Sequence, residues 1–219
     1  MRIGMVGDGV MAGWHSETLR AMGCDLRVVV GIDAGAVQRF AEVHGYRQHG
    51  LSLEQALQER LDAVFVCSPS AFHAEQAWQA LQADCHVLVE VPMAMSLADS
   101  ERLVGEAARR QRVLYVNHPL RVRAQFGALR GRLLGGEERL HLVSGQFLYR
   151  STRAPVPPAS GPTPWVDNLL WHHVSHIVDL SLWLADQPVK TVGSTMDGLD
   201  PQTGIPMNLA YAAETTGGI

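Results

Sequence analysis

The chain has 219 residues, 47% hydrophobic and 18% charged, enough to bury a sizeable core, which argues against disorder, coiled coil or a collagen-like repeat. Eighteen basic against 22 acidic residues give a net charge of -4, which argues against a nucleic-acid or membrane-surface binder and for small-molecule partners. Cys24, Cys67 and Cys85 lack the close pairing of a disulfide frame, and no apolar run approaches the roughly 20 residues of a membrane span, so a cytoplasmic protein is expected.

Over the first half, short apolar runs at 2–6, 26–32, 62–67, 86–89 and 113–116 alternate with amphipathic stretches at 10–22, 34–44, 70–83 and 97–111. Strands spaced in this way cannot be joined as hairpins. The continuous runs "RVVVGI" and "DAVFVC" further suit strands buried on both faces, so residues 1–117 predict an α/β Rossmann domain with a doubly wound parallel sheet. After Asn117 the pattern changes. A helix over 122–134 stops at Gly135-Gly136, and an alternating segment over 139–150 suits an antiparallel strand. A proline-rich loop covers 151–166, a helix spans 170–185, and strands follow near 191–195 and 207–215. Residues 118–219 thus read as an α+β domain with a mostly antiparallel sheet, to which the family resemblance drawn below assigns substrate binding and homo-oligomerisation. Its last strand has no following partner and "TTGGI" reads as the approach to a hairpin, so a longer functional chain is expected.

"MVGDGVMAG" sets Gly7, Gly9 and Ala12 in G-x-G-x-x-A spacing between the first strand and the first helix. Gly7 permits the tight turn, Gly9 lets backbone approach a pyrophosphate, and the helix N-terminus beginning at Val10 and Met11 presents N–H groups to it. Asp33, at the end of the second strand, stands where a carboxylate accepts hydrogen bonds from ribose hydroxyls. It repels a 2′-phosphate, which favours NAD and leaves NADP as the alternative. The same residue suits the N-cap of the helix from 34 onward.

With this turn, "CSPSAFHAE" after the strand ending at Cys67 and "EVPMAMSLADSERLV" after the strand ending at Val89, the chain resembles the glucose-fructose oxidoreductase / inositol dehydrogenase (Gfo/Idh/MocA) family. The resemblance implies a Rossmann domain paired with an α/β domain, and it assigns Ser68, Pro69, His73, Glu90 and Pro92 to the cofactor site. It also implies a catalytic lysine in a Glu-Lys-Pro motif. Here that place is Val91, and of 18 basic residues only Lys190 is a lysine, leaving 17 arginines. A second family motif, aspartate, histidine four on and aspartate three further, is matched by His176 and Asp179, with His172 replacing the first aspartate. The segments "NHPLR" and "WVDNLLWHHVSHIVDL" are similar to a subgroup that oxidises carboxylated muconate semialdehydes in their cyclic hemiacetal form. That subgroup is associated with NADP, against which Asp33 argues.

On a helix, His172, His176, Asp179 and Trp183 form one stripe, with His173 roughly 100° away at the site rim or a subunit contact. Oxidation of a hydroxyl by hydride transfer needs a proton acceptor, and imidazole titrates in the right range without special tuning. His176 is the expected base, His172 its partner or a substrate donor, and Asp179 an orienting group. Two such histidines also suit a metal, but no cysteine or acidic pair stands at ligand spacing near them, so none is expected. Between Asn117 and His176 seven arginines outnumber three acids, which points to an anionic substrate, with Arg121, Arg150 and Arg153 placed to bind it and His173 beside them. The competing reading is a non-catalytic dinucleotide sensor or an inactive fragment. The Val91–Pro92 bond is a candidate for cis geometry.

Overall fold

A computed structural model describes residues 1–50, 52–146, 174–198 and 208–219, which divide into two compact units, Met1–Asn117 and His118–Ile219. In the first, β1 (Arg2–Val6), β2 (Asp25–Val30), β3 (Gln48–His49), β4 (Ala63–Val66), β5 (His86–Val89) and β6 (Leu114–Val116) form one parallel sheet in the order β3-β2-β1-β4-β5-β6. The helices α1 (Val10–Ala21), α2 (Ala34–His44), α3 (Leu53–Leu57), α4 (His73–Gln82) and α5 (Leu97–Arg110) connect them, with a 3-10 turn at Ser70–Phe72 before α4.

Alternating side chains feed two cores, as the pleat requires. Val28, Val64, Val66, Val87 and Val89 pack with Leu81 and Leu103 on one face, while Ile3, Met5, Val29, Val37 and Ala41 pack on the other. Strand order reverses between β1 and β4, which opens a crevice at their carboxyl ends, the usual ligand position in such sheets. The alternation of strand and helix in the sequence anticipated this doubly wound sheet. It missed β3 and α3, whose two and five residues are too short for a period to register. Ser52 and Gln55 nevertheless form a capping box at the start of α3, a signal legible in the sequence.

In the second unit, α6 (Ala124–Leu134) and α7 (Ser175–Ala185) accompany an antiparallel pair, β7 (Val189–Met196) and β8 (Leu209–Thr215), with Val192 opposite Ala213 and Ser194 opposite Tyr211. The helix expected from 170 is described from Ser175 onward, and 170–173 lie outside the described residues. The strand expected over 139–150 is corrected. Its described part, through 146, is not a strand and pairs with neither β7 nor β8. It runs against α7 instead, with a Cβ at Gly145 falling 3.1 Å from Ile177 Cγ2. The loop at 151–166 lies outside the described residues. Among those described, no helix is long and apolar enough to cross a membrane.

Glu106 ties α5 to α4. Its side chain is only 7% exposed and accepts from Arg109 Nε at 2.8 Å, from Arg110, and from Gln82 Nε2 at 2.5 Å. The two guanidiniums hold its carboxyl at about 2, against an ordinary 4.5. A carboxyl depressed in the folded state contributes stability that is complete above its unfolded value and fades as pH falls toward the folded one. Glu106→Gln should therefore lower the melting temperature at pH 7. The gap to the parent chain should close between about pH 4.5 and 2, as thermal melts across that range will record.

Candidate active site

At the end of β1 the chain turns through Gly7, whose φ is +106° and whose amide donates to the Val30 carbonyl at 2.8 Å. A Cβ at Gly7 would stand 2.5 Å from the Cys67 carbonyl oxygen, so this turn and the end of β4 approach backbone to backbone. Gly9 is the N-cap of α1, with no side-chain cap, and a Cβ there meets nothing within 4 Å. The first N–H groups of α1 are thus left for an anion, in front of open space. Val10 is exposed and Met11 half-buried at this end of the helix. At the tip of β2, Asp33 Oδ1 accepts from Ala36 N at 2.6 Å, so the capping role is present, and the carboxylate remains exposed. These features fit a dinucleotide: an uncapped helix start, an uncrowded glycine and an acid at the second strand's tip.

The loops after β4 and β5 are braced by His73, which is 1% exposed. Its Nδ1 lies 2.8 Å from the Pro92 carbonyl oxygen and its Nε2 lies 2.6 Å from that of Ser68. Both ring nitrogens face backbone carbonyls, so the His73 side chain joins the Ser68-Pro69 and Glu90-Val91-Pro92 segments. The Ser68 hydroxyl is bound to Gln76, and the Val91–Pro92 bond is cis as expected. Val91, at the lysine position, is 3% exposed.

Glu90 is also buried. Its Oε1 accepts from Asn117 Nδ2 at 2.7 Å and lies 2.6 Å from His15 Nε2. The His15 ring stands edge-on to Phe65, with centroids 5.4 Å apart. Half-buried Cys67 completes a group with His15 and Glu90 whose ligand atoms all lie within 4.8 Å of one another. Burial, with the Glu90 charge adding to it, pushes the Cys67 thiol well above its ordinary value. The sequence directed the metal question to the histidines near 172–176. A group assembled from positions 15, 67 and 90 has no sequence spacing to betray it.

In the second unit, α7 carries His176 and Asp179 on one side, one turn apart. Arg121 closes on Asp179 with both ends of its fork, Nε to Oδ2 at 2.8 Å and an Nη to Oδ1, and lies over the Trp183 ring at 5.8 Å. His118 Nδ1 lies 3.5 Å from Asp179 Oδ2, and the His118 ring meets that of His176 edge-on at 5.9 Å. The acid expected to orient His176 thus stands beside His118, which lies in the "NHPLR" segment at no spacing that marks it for a role. Arg121, expected to bind substrate, is engaged by Asp179. His172, His173, Arg150 and Arg153 lie outside the described residues.

A family model described as "Oxidoreductase family, NAD-binding Rossmann fold" matches residues 1–118, and one described as "Bacterial oxidoreductases, C-terminal" matches 130–219. The chain belongs to the Gfo/Idh/MocA oxidoreductase family, and its first unit is an NAD-binding Rossmann fold. Among curated proteins it is 29% identical, over its whole length and 69% of the relative's, to a 4-carboxy-2-hydroxymuconate-6-semialdehyde dehydrogenase of a Sphingobium species. Two solved structures share its fold over the whole chain. One is GenD2 from gentamicin A biosynthesis in complex with NAD, with TM-score 0.81, 23% identity and 63% of that chain covered. The other is the WlbA dehydrogenase of Bordetella pertussis in complex with NADH and UDP-GlcNAcA, with TM-score 0.78, 23% identity and 69% covered. The chain therefore spans about two thirds of the length of these proteins.

The two glycines should separate when substituted. Gly7→Ala forces a Cβ into the Cys67 carbonyl at a positive φ and should destabilise the fold by roughly 1–3 kcal/mol in chemical unfolding. Gly9→Val should unfold like the parent chain and lose NAD binding in calorimetric titration, since its side chain enters only the space that the pyrophosphate needs.

Proposed function

We propose that the chain is an NAD-dependent dehydrogenase that oxidises a hydroxyl-bearing carbon of an anionic hydroxy acid or cyclic hemiacetal, of the carboxylated muconate-semialdehyde class. The observation that carries the reading is the His118–His176–Asp179–Arg121 cluster, set in a chain whose motif lysine is replaced by buried Val91. The full-length similarity to the Sphingobium dehydrogenase supports the substrate class. In this reading the first unit binds the dinucleotide, and the second binds substrate and joins copies of the chain in a cytoplasmic homo-oligomer.

The glycine turn, the start of α1 and Asp33 would hold NAD, which would supply the hydride acceptor. His176 takes the proton of the substrate hydroxyl as the C–H bond breaks and the carbonyl forms, so the products are the oxidised substrate, the reduced nicotinamide and one proton held on imidazole. His118, beside Asp179, backs the ring of His176, and Arg121 fixes Asp179 in place. His172, His173, Arg150 and Arg153 are assigned to the substrate's hydroxyl and carboxylates, as the composition of their segment suggests.

Burial of Val91 favours a second reading, a dinucleotide sensor without catalysis. Incubation with NAD and a panel of hydroxy and semialdehyde acids, followed at the absorbance of reduced nicotinamide, decides between them. Turnover supports the enzyme, and binding alone supports the sensor. In the enzyme, His176→Ala should lower kcat by about 10² with NAD affinity little changed. His172→Ala should cost less, and adding Val91→Lys should rescue neither variant. Asp33→Ala should weaken NAD more than NADP in titrations, whereas an equal loss would leave the residue with its cap alone.

A further inference from the structure

We propose that His15, Cys67 and Glu90 form a binding site for a thiophilic divalent cation of the zinc class, inside the Rossmann unit. Three elements converge on it: His15 comes from α1, Cys67 directly follows β4, and Glu90 directly follows β5. Strands β1, β4 and β5 are neighbours in the sheet, so the carboxyl ends of β4 and β5 and the first turns of α1 are packed together by the fold itself.

The donor set selects the ion. One imidazole nitrogen, one thiol sulfur and one carboxylate oxygen suit zinc and its transition-metal neighbours, whereas magnesium and calcium prefer oxygen alone. A dication also balances one thiolate and one carboxylate with a neutral imidazole, so the site buries no net charge.

Distances permit it with small movements. Zinc bonds of about 2.0–2.3 Å set tetrahedral donors roughly 3.3–3.8 Å apart. The present separations all fall within 4.8 Å, and that of His15 Nε2 from Glu90 Oε1 is 2.6 Å. That pair must open by about 1 Å, which is within the reach of side-chain rotation on a fixed backbone. The site is also supported from outside. Asn117 Nδ2 donates to Glu90 Oε1 at 2.7 Å, and Phe65 sets the plane of the His15 ring, as outer groups do at metal centres. His15 and Glu90 keep 18% and 11% of their side-chain surface open and Cys67 is half-buried, so an ion can enter. Three protein ligands leave a fourth position for water or another small ligand, the pattern of open zinc sites.

Cobalt reports ligation directly. The full chain, stripped with chelator and titrated with Co²⁺, should take up one equivalent with a thiolate-to-metal charge-transfer band and the intense visible bands of tetrahedral coordination. Zn²⁺ should displace it. Cys67→Ser should abolish the charge-transfer band, and His15→Ala should weaken Zn²⁺ binding by at least about tenfold, while Cys24→Ser should change neither. Thermal melts of each variant without metal establish that it is folded, and the less disruptive Glu90→Gln serves as a second test of the carboxylate. Absence of the charge-transfer band in the parent chain, or its survival in folded Cys67→Ser, would overturn the site.

Discussion

Everything in the first unit depends on how closely two backbones meet where β1 and β4 end. The Gly7 turn lies against the carbonyl of Cys67 at a distance that admits no side chain, and its positive φ swings the chain directly into α1. A larger residue would move the helix start away from the strand ends. The open ground before Gly9, the bare N–H groups of α1 and the approach of His15 to Glu90 all follow from that contact.

The crevice edges are then held by buried polar groups instead of by apolar packing alone. His73 spans the loops after β4 and β5 by bonding a carbonyl in each, and Glu90 gathers His15 and Asn117. Leaving any of these groups unsatisfied inside the fold costs more than its hydrogen bond yields, so the loops are fixed by an avoided penalty. His73, which reads as a cofactor contact in the sequence, has both ring nitrogens against backbone carbonyls of these loops.

Strand and helix alternation made the sheet legible because each strand is buried on both faces and each long helix on one. The five strands and four helices recognised in 1–117 are those with enough residues to express a period. The glycine turn and Asp33 were legible for another reason, since a phosphate and a ribose each demand a residue type at a fixed distance from a strand end. His15 and His118 were not legible. One lies within an ordinary helix and the other after β6, and their partners are 75 and 61 residues away. The segment 139–146 misled because alternation describes a surface with two sides, and here that surface lies against α7 instead of pairing in a ladder.

The basic excess between Asn117 and His176 also changes meaning beside the acids that meet it. Arg121, Arg130 and Arg132 are paired with Asp179, Asp186 and Glu138, and the first two also lie over the Trp183 ring. These three guanidiniums stabilise α6, α7 and the stretch between Asn117 and α6, and they carry little charge toward a ligand. Among the described residues Arg123 and Arg139 show no ion pair. A count of arginines therefore overstates the charge offered to an anion. Pairing does the opposite for the histidines. Asp179 neutralised by Arg121 still offers His118 an acceptor, and His118 meets His176 edge to ring without placing a second full negative charge beside it. The His118 and His176 rings are thus set beside an ion pair whose net charge is zero, not beside a bare carboxylate.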